Sequence, residues 1–163
     1  MTERVAALLQ TIGHHPNAQP GQLTLPELGA LIVVAGIEHG FEVELEVPCC
    51  AEHQNHKVDC LWRARSGEGS RGAVVVAWEF DGRDARPAHL LGGRARRGNL
   101  MKLGDTGAPV KVQALYSVRN GVLKDRRSAV RPALEGAGIA VYLDSELISD
   151  KLEAIVSRAI TRR

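Results

Sequence analysis

Lys57-Val58-Asp59-Cys60-Leu61-Trp62, followed by Ala73-Val74-Val75-Val76-Ala77-Trp78-Glu79-Phe80-Asp81, decides how this chain is read. Both runs are β-branched and aromatic, and the Ser66-Gly67-Glu68-Gly69-Ser70 stretch between them has the composition of a turn. Two strands of one hairpin are expected. Alternation along a strand puts Glu79 and Asp81 on one face and Val74, Val76, Trp78 and Phe80 on the other. Pairing with the first run brings Asp59 toward the two acids. Three carboxylates on one face repel each other and resist desolvation, and a hard divalent cation, Mg²⁺ or Mn²⁺, is the usual compensation.

Working outward, Phe41-Glu42-Val43-Glu44-Leu45-Glu46-Val47 alternates strictly and reads as a strand that Pro48 stops. Before it, Thr24 caps a helix that continues through Ala35, with Pro26 in its first turn and Glu27 in capping-box position, until Gly40 ends it. Residues 2–12 carry apolar side chains at helical spacing, and the broken, polar residues 13–22 form a loop. The chain thus divides into an N-terminal helix and loop over 1–22 and an α/β domain over 23–163. After the hairpin a helix is expected over about 94–103, a strand over 110–118, a helix over 126–136 in spite of Pro132, and a short buried strand over 139–143. Ser145 is placed as the cap of a final helix running to about residue 160.

A length of 163 residues with 44% hydrophobic content suffices for a single core. The longest apolar stretch, from Ala30 to Ile37, is far short of a bilayer span, and the opening Met1-Thr2-Glu3-Arg4 does not resemble a signal peptide. A cytoplasmic protein without membrane partners is expected, with its three cysteines reduced. A net charge of +2 does not by itself call for a polyanion, but arginine and lysine gather after the hairpin at Arg94, Arg96, Arg97 and Lys102, and again at Arg126, Arg127 and Arg131. A basic surface beside an acidic metal site suits nucleic acid phosphates; the plainer reading is a set of solvated faces. No phosphate-binding GxxxxGK[ST] loop, dinucleotide GxGxxG or GxSxG elbow occurs. An aromatic content of 4% is too thin for single-strand stacking platforms.

A helix, three consecutive strands, a helix and a further strand, with Asp59 in the second strand and Glu79-Phe80-Asp81 closing the third, resembles the PD-(D/E)XK (restriction-endonuclease-like) nuclease superfamily. The resemblance spans about residues 26–118. It implies a mixed central sheet flanked by helices and metal-dependent hydrolysis of nucleic acid phosphodiesters, DNA being the first expectation. Asp59 and Glu79 would be the metal ligands. Asp81 stands where the family has lysine, so the motif reads Glu-x-Asp. It would add a metal contact or take a proton, or else merely begin the Asp81-Gly82 turn. Lys102, on the helix after the third strand, is the candidate for the missing cation, and Lys57, which shares the face of Asp59 by alternation, is the second choice. Glu27 would complete the acidic pocket as a helix acid does in parts of the family; its other role is the partner of Thr24 in the capping box. Without activity, the same fold would serve as an interaction or assembly module, with a second copy of the chain or another protein as partner.

A competing constellation precedes the hairpin: Cys49, Cys50, His53, His56 and Cys60 offer the ligand types of a zinc site. No second CxxC-like pair closes it, and Cys60 is read more simply as a small core residue, so zinc ranks below Mg²⁺ or Mn²⁺. His14, His15, His39 and His89 have no recognisable partners and are read as surface residues.

Overall fold

The N-terminal end of the first helix shows how closely the local chemistry is followed. In the computed structural model, which describes residues 7, 23–67, 69–82, 85–93, 97–116 and 127–163, helix α1 (Leu25–Glu38) begins directly after Thr24. The Glu27 carboxylate accepts a hydrogen bond from the Thr24 amide at 2.6 Å, one of the two bonds of a capping box, and a further one from the Thr24 hydroxyl at 2.7 Å. Of the helix expected over 2–12 only Ala7, which is helical, is among the described residues, and the loop after it lies outside them.

Strands β1 (Glu42–Pro48), β2 (Lys57–Arg63) and β3 (Val74–Gly82) form an antiparallel meander. Two short helices, α2 (Pro87–Leu91) and α3 (Asn99–Asp105), then lead into β4 (Val110–Tyr116), which is parallel to β3. Helix α4 (Arg127–Gly136) crosses to β5 (Ile139–Leu143), parallel to β4. The chain closes with a turn of helix α5 (Asp144–Glu146), a wide π turn over Leu147–Lys151 and helix α6 (Leu152–Ile160). The result is an α/β architecture with one mixed five-stranded sheet in the order β1-β2-β3-β4-β5. Among the described residues, no helix is long and apolar enough to cross a membrane.

The sheet is covered on both faces. On one face Cys60, Trp62, Val76, Trp78, Val112 and Ala114 pack with Leu28, Leu31, Ile32 and Ala35 of α1 and with Leu152, Ile155 and Val156 of α6. On the other, Leu61, Ala77, Leu115 and Val141 pack with Leu90 of α2, Leu103 of α3 and Leu134 of α4. An aromatic ladder crosses the first face: Phe41 stacks on Trp62 at 5.4 Å, and Trp62 meets Trp78 at 5.3 Å. Gly36 makes room for it. A Cβ at that position would lie 2.7 Å from Trp62 Nε1 and 2.7 Å from a Val43 methyl.

Several expectations change. The register of β2 against β3 slips between Trp62 and Arg63, so Val75 and Val76 both enter the first core and Val74 turns to the opposite face. The helix expected over 94–103 starts only at Asn99 and ends at Asp105. Ser145 does not cap the last helix, which already begins at Asp144. That buried carboxylate accepts from the Ser145 amide and from the Leu23 amide, each at 2.9 Å, and ties the start of the described domain to the end of β5.

Because two rigid groups crowd the Gly36 position, Gly36→Ala is expected to destabilise the protein by about 1–3 kcal/mol, the usual cost of overpacking. Urea unfolding measures it, and an unchanged midpoint would show that Trp62 and Val43 can yield.

Candidate functional site

The acidic cluster forms where the β1-β2-β3 meander comes apart. Pairing of β2 with β3 ends at Cys60 and Trp78, one step before Asp59 would face Glu79. Freed from the ladder, the Phe80 amide donates instead to Asp59 Oδ2 at 2.6 Å. On the other side of Asp59, the pair Glu46–Asp59 is missing from an otherwise continuous β1–β2 register, and Glu46 has φ of +51°. Both strands roll there. Val43, Cys60 and Trp62 belong to the first core, whereas Val47 and Val58 join the second. Simple alternation therefore fails at Asp59, whose carboxylate sits at the split between strands beside a cleft of about 240 Å³ shared with Leu25, Gly29, Leu45, Glu46 and Phe80.

Glu79 keeps the face that alternation assigns and is buried, 2% exposed. Lys102 of α3 reaches it: Nζ lies 2.6 Å from Glu79 Oε1 and donates to the Lys57 carbonyl at 3.0 Å. Among the described residues this ion pair is the contact of Glu79 Oε1, a buried oxygen that no other donor reaches. Lys57, the second choice, contributes its carbonyl to this arrangement, and its side chain is exposed.

Asp81 is fully engaged by neutral and basic donors. Its Oδ2 accepts from Asn99 Nδ2 and, at 3.1 Å, from Gln113 Nε2, while its Oδ1 lies 2.9 Å from His89 Nε2. Gln113 on β4 stands directly beside Glu79 and accepts from Asn99 at 2.9 Å. This buried network docks the N-terminus of α3 onto the sheet and thereby aims Lys102. Gly98 allows the approach, since a Cβ there would stand 2.1 Å from the Gly92 amide nitrogen. Asp81 is thus a positioning group more than a turn initiator.

The electrostatics follow from burial. Desolvation, reinforced by the neighbouring Asp59 charge, pushes Glu79 up to about 9 against the attraction of Lys102. Asp59 and Asp81 are also raised, in each case first by burial; the Phe80 amide then opposes the shift at Asp59, and His89 opposes it at Asp81. Lys102 acts on all three carboxylates and cannot neutralise them alone. The buried Glu79 and the half-buried Asp59, close enough for each charge to act on the other, offer the hard oxygen donors that a divalent cation such as Mg²⁺ takes together with water and substrate oxygens. The three acids do not all converge: among the described residues, the group whose ligand atoms lie mutually within 4.8 Å is Cys49, Cys50 and Asp105.

Other expected residues are placed differently. Glu27 is engaged by Thr24 in the cap. Arg97 is not free for a phosphate, because its guanidinium contacts Asp105 and lies 2.9 Å from His53 Nε2. Arg94, Arg96 and Arg126 lie outside the described residues, and Arg127 is described only as the start of α4. Cys60 is fully buried on the opposite face from the other two cysteines, where burial pushes its thiol up to about 12, and it leaves the zinc constellation. His39 and His89 are partnered, by the Ala35 carbonyl at 2.7 Å and by Asp81; His14 and His15 lie outside the described residues. The sequence reading missed Asn99 and Gln113, whose signal was a polar residue in an apolar strand and at a helix start. Glu46, which lines the cleft beside Asp59, was not among the expected site residues either.

The direction of the Glu79 shift sets a test. Below a pH of 4.5 the folded and unfolded chains both carry the proton. Between 4.5 and about 9 only the folded chain keeps it, so this group's contribution to stability falls as pH rises through that window. With a chelator present, the melting temperature of the wild type should fall more steeply over this range than that of Glu79→Gln; parallel curves would mean that Glu79 ionises normally. No protein-family model, curated protein or solved structure matches the chain.

Proposed function

We propose that the protein is a metal-dependent nuclease of the PD-(D/E)XK, restriction-endonuclease-like type, hydrolysing phosphodiester bonds in nucleic acid, with DNA the favoured substrate. The observation that carries this reading is the entry of Lys102 from α3 into the carboxylate cluster, 2.6 Å from Glu79, in a chain whose strand motif has Asp81 where that family has lysine. The strand order supports it as well: an antiparallel meander followed by a helical crossover to a parallel strand, with the acids at the splayed end of the second and third strands.

Asp59 and Glu79 would hold the divalent cation, Mg²⁺ or Mn²⁺. When bound, such a cation polarises a phosphate oxygen and makes hydroxide available near neutral pH. The chain's own groups do the rest. The Lys102 ammonium offers positive charge to the phosphate as negative charge develops on it, in a site where burial makes that interaction stronger than in water. Asp81, held by Asn99, Gln113 and His89, keeps α3 and hence Lys102 in register with the acids. The Phe80 amide fixes one Asp59 oxygen and leaves the other carboxylate oxygen available.

A second reading, a non-catalytic interaction module on the same fold, is favoured by one observation: Asp81 is saturated by internal donors, so the cluster has two adaptable acids rather than three. Cleavage assays separate the two. In Mg²⁺ or Mn²⁺, the wild type is expected to cut at least one of linear, circular, branched or single-stranded DNA or RNA. Asp59→Ala and Glu79→Ala should each abolish cleavage with the fold intact, and Lys102→Ala should slow it by roughly a hundredfold or more. Cleavage that survives Glu79→Ala would refute the site, and no cleavage of any substrate by the wild type would leave the interaction module.

A further inference from the structure

A second constellation, separate from the carboxylate cluster, lies at the other end of α3. Cys49 and Cys50 open the β1–β2 connection just after Pro48, and Asp105 is the last residue of α3. One ligand atom from each of the three lies within 4.8 Å of the others, and Cys49 Sγ is 3.9 Å from Asp105 Oδ2. With Zn–S near 2.3 Å and Zn–O near 2.1 Å, a tetrahedral ion spaces its sulfur and oxygen ligands about 3.6 Å apart, so the present separation needs little adjustment. A direct S–H···O bond would be long at this distance.

The surroundings suit an ion. Two thiolates and a carboxylate sum to three negative charges, which a divalent cation together with the Arg97 guanidinium on Asp105 would balance. The same guanidinium lies 2.9 Å from His53 Nε2, which engages that nitrogen and leaves the fourth position of a tetrahedral ion to water. The backbone of the connection is held by local hydrogen bonds: the His53 amide donates to the Cys50 carbonyl at 3.3 Å, and the Cys49 amide donates to the His56 carbonyl at 2.8 Å. His56 Nδ1 is buried without a hydrogen-bond partner next to the His53 ring. A cleft of about 480 Å³, lined by Cys49, Cys50, Gln54 and Thr106 and also by Arg63 and Arg71, whose guanidinium groups pair with Glu44, opens beside the group. Thiolate donors disfavour Mg²⁺ and Ca²⁺, and the mixture of sulfur with carboxylate oxygen suits Zn²⁺.

We propose that Cys49, Cys50 and Asp105 form a structural Zn²⁺ site that clamps the β1–β2 connection to the C-terminal end of α3. Binding releases the two thiol protons to solvent and involves no change of oxidation state. Because α3 also carries Asn99 and Lys102, the clamp holds both ends of that short helix: the polar network at its start and the metal at its end. The inference does not depend on the nuclease reading, since the ion touches neither Asp59 nor Glu79.

The test uses the full chain, purified with reductant and without chelator. Zinc content by elemental analysis should be one per chain. Titration of the metal-free protein with Co²⁺ should give the thiolate-to-cobalt charge-transfer band and the visible absorption of a tetrahedral site, both abolished by an equivalent of Zn²⁺. Cys49→Ser and Cys50→Ser should each lose most of the charge-transfer band, Asp105→Asn should weaken Co²⁺ affinity roughly tenfold or more, and Cys60→Ala should leave spectrum and stoichiometry unchanged. If the cysteine variants fail to fold, the wild-type titration and Asp105→Asn still decide. A folded wild type that gives no thiolate–cobalt band, or a band that survives loss of both Cys49 and Cys50, overturns the site.

Discussion

Placing the Glu79 carboxylate inside the protein, beside a second acid, costs desolvation and repulsion, and the surrounding structure is arranged to meet that cost. Lys102 must arrive from outside the strand because the in-strand position that follows, Asp81, is another acid. To bring Lys102 there, α3 has to dock in one orientation, and the docking is polar: Asn99 and Gln113 hold Asp81, and Gly98 lets the backbone come close to α2. A partly satisfied network of this kind would be worse than an apolar core, since each unpaired group loses its water. Asp81 and Gln113 are paired within it, whereas among the described residues Glu79 Oε1 and Asn99 Oδ1 keep no hydrogen-bond donor, so part of that cost stays in the site.

The same region departs from regular sheet geometry. Glu46 adopts a left-handed conformation opposite Asp59, and the β2–β3 ladder stops at Cys60 and Trp78. Backbone in such a region stores strain that the remainder of the fold must support. Here the support is the aromatic ladder of Phe41, Trp62 and Trp78 on one side and the cluster around Leu61, Ala77 and Leu103 on the other. The site sits where the sheet opens, next to this packed centre. The two ends of α3 serve two separate groups of ligand-type side chains, so its placement couples them mechanically even though they share no residue.

Much of the fold was legible in the residues. The strand bounds of β1, β2 and β3 and the start of α1 at Thr24 follow local patterns to within a residue or two, but the alternation of β1 breaks at Glu46, which sends Val43 and Val47 to opposite cores and leaves Leu45 exposed. Where the reading went astray, a long-range contact outweighed local preference. Val74 faces the other core because the strand slips against Arg63. The helical turn starts at Asp144, ahead of Ser145, with Glu146 capping the Leu143 amide, and the Asp144 carboxylate is taken up by the Leu23 amide, 121 residues away. Arg97 looked like one of several surface cations, yet Asp105 and His53 hold it.

By itself the sequence determined the strands, the capped helix, the absence of a long apolar span among the described helices, and the presence of acids at the ends of two adjacent strands, because periodicity and capping depend on neighbours a few residues apart. Only the tertiary structure decided which acids meet a lysine, which are consumed by internal hydrogen bonds, and which cysteines come together. Those outcomes depend on the docking of α3, a seven-residue helix whose position is set by Asp81, Gln113 and Gly98 rather than by its own periodicity. Seven residues make about two turns, too few to specify a buried face, so contacts distant in sequence had to place it.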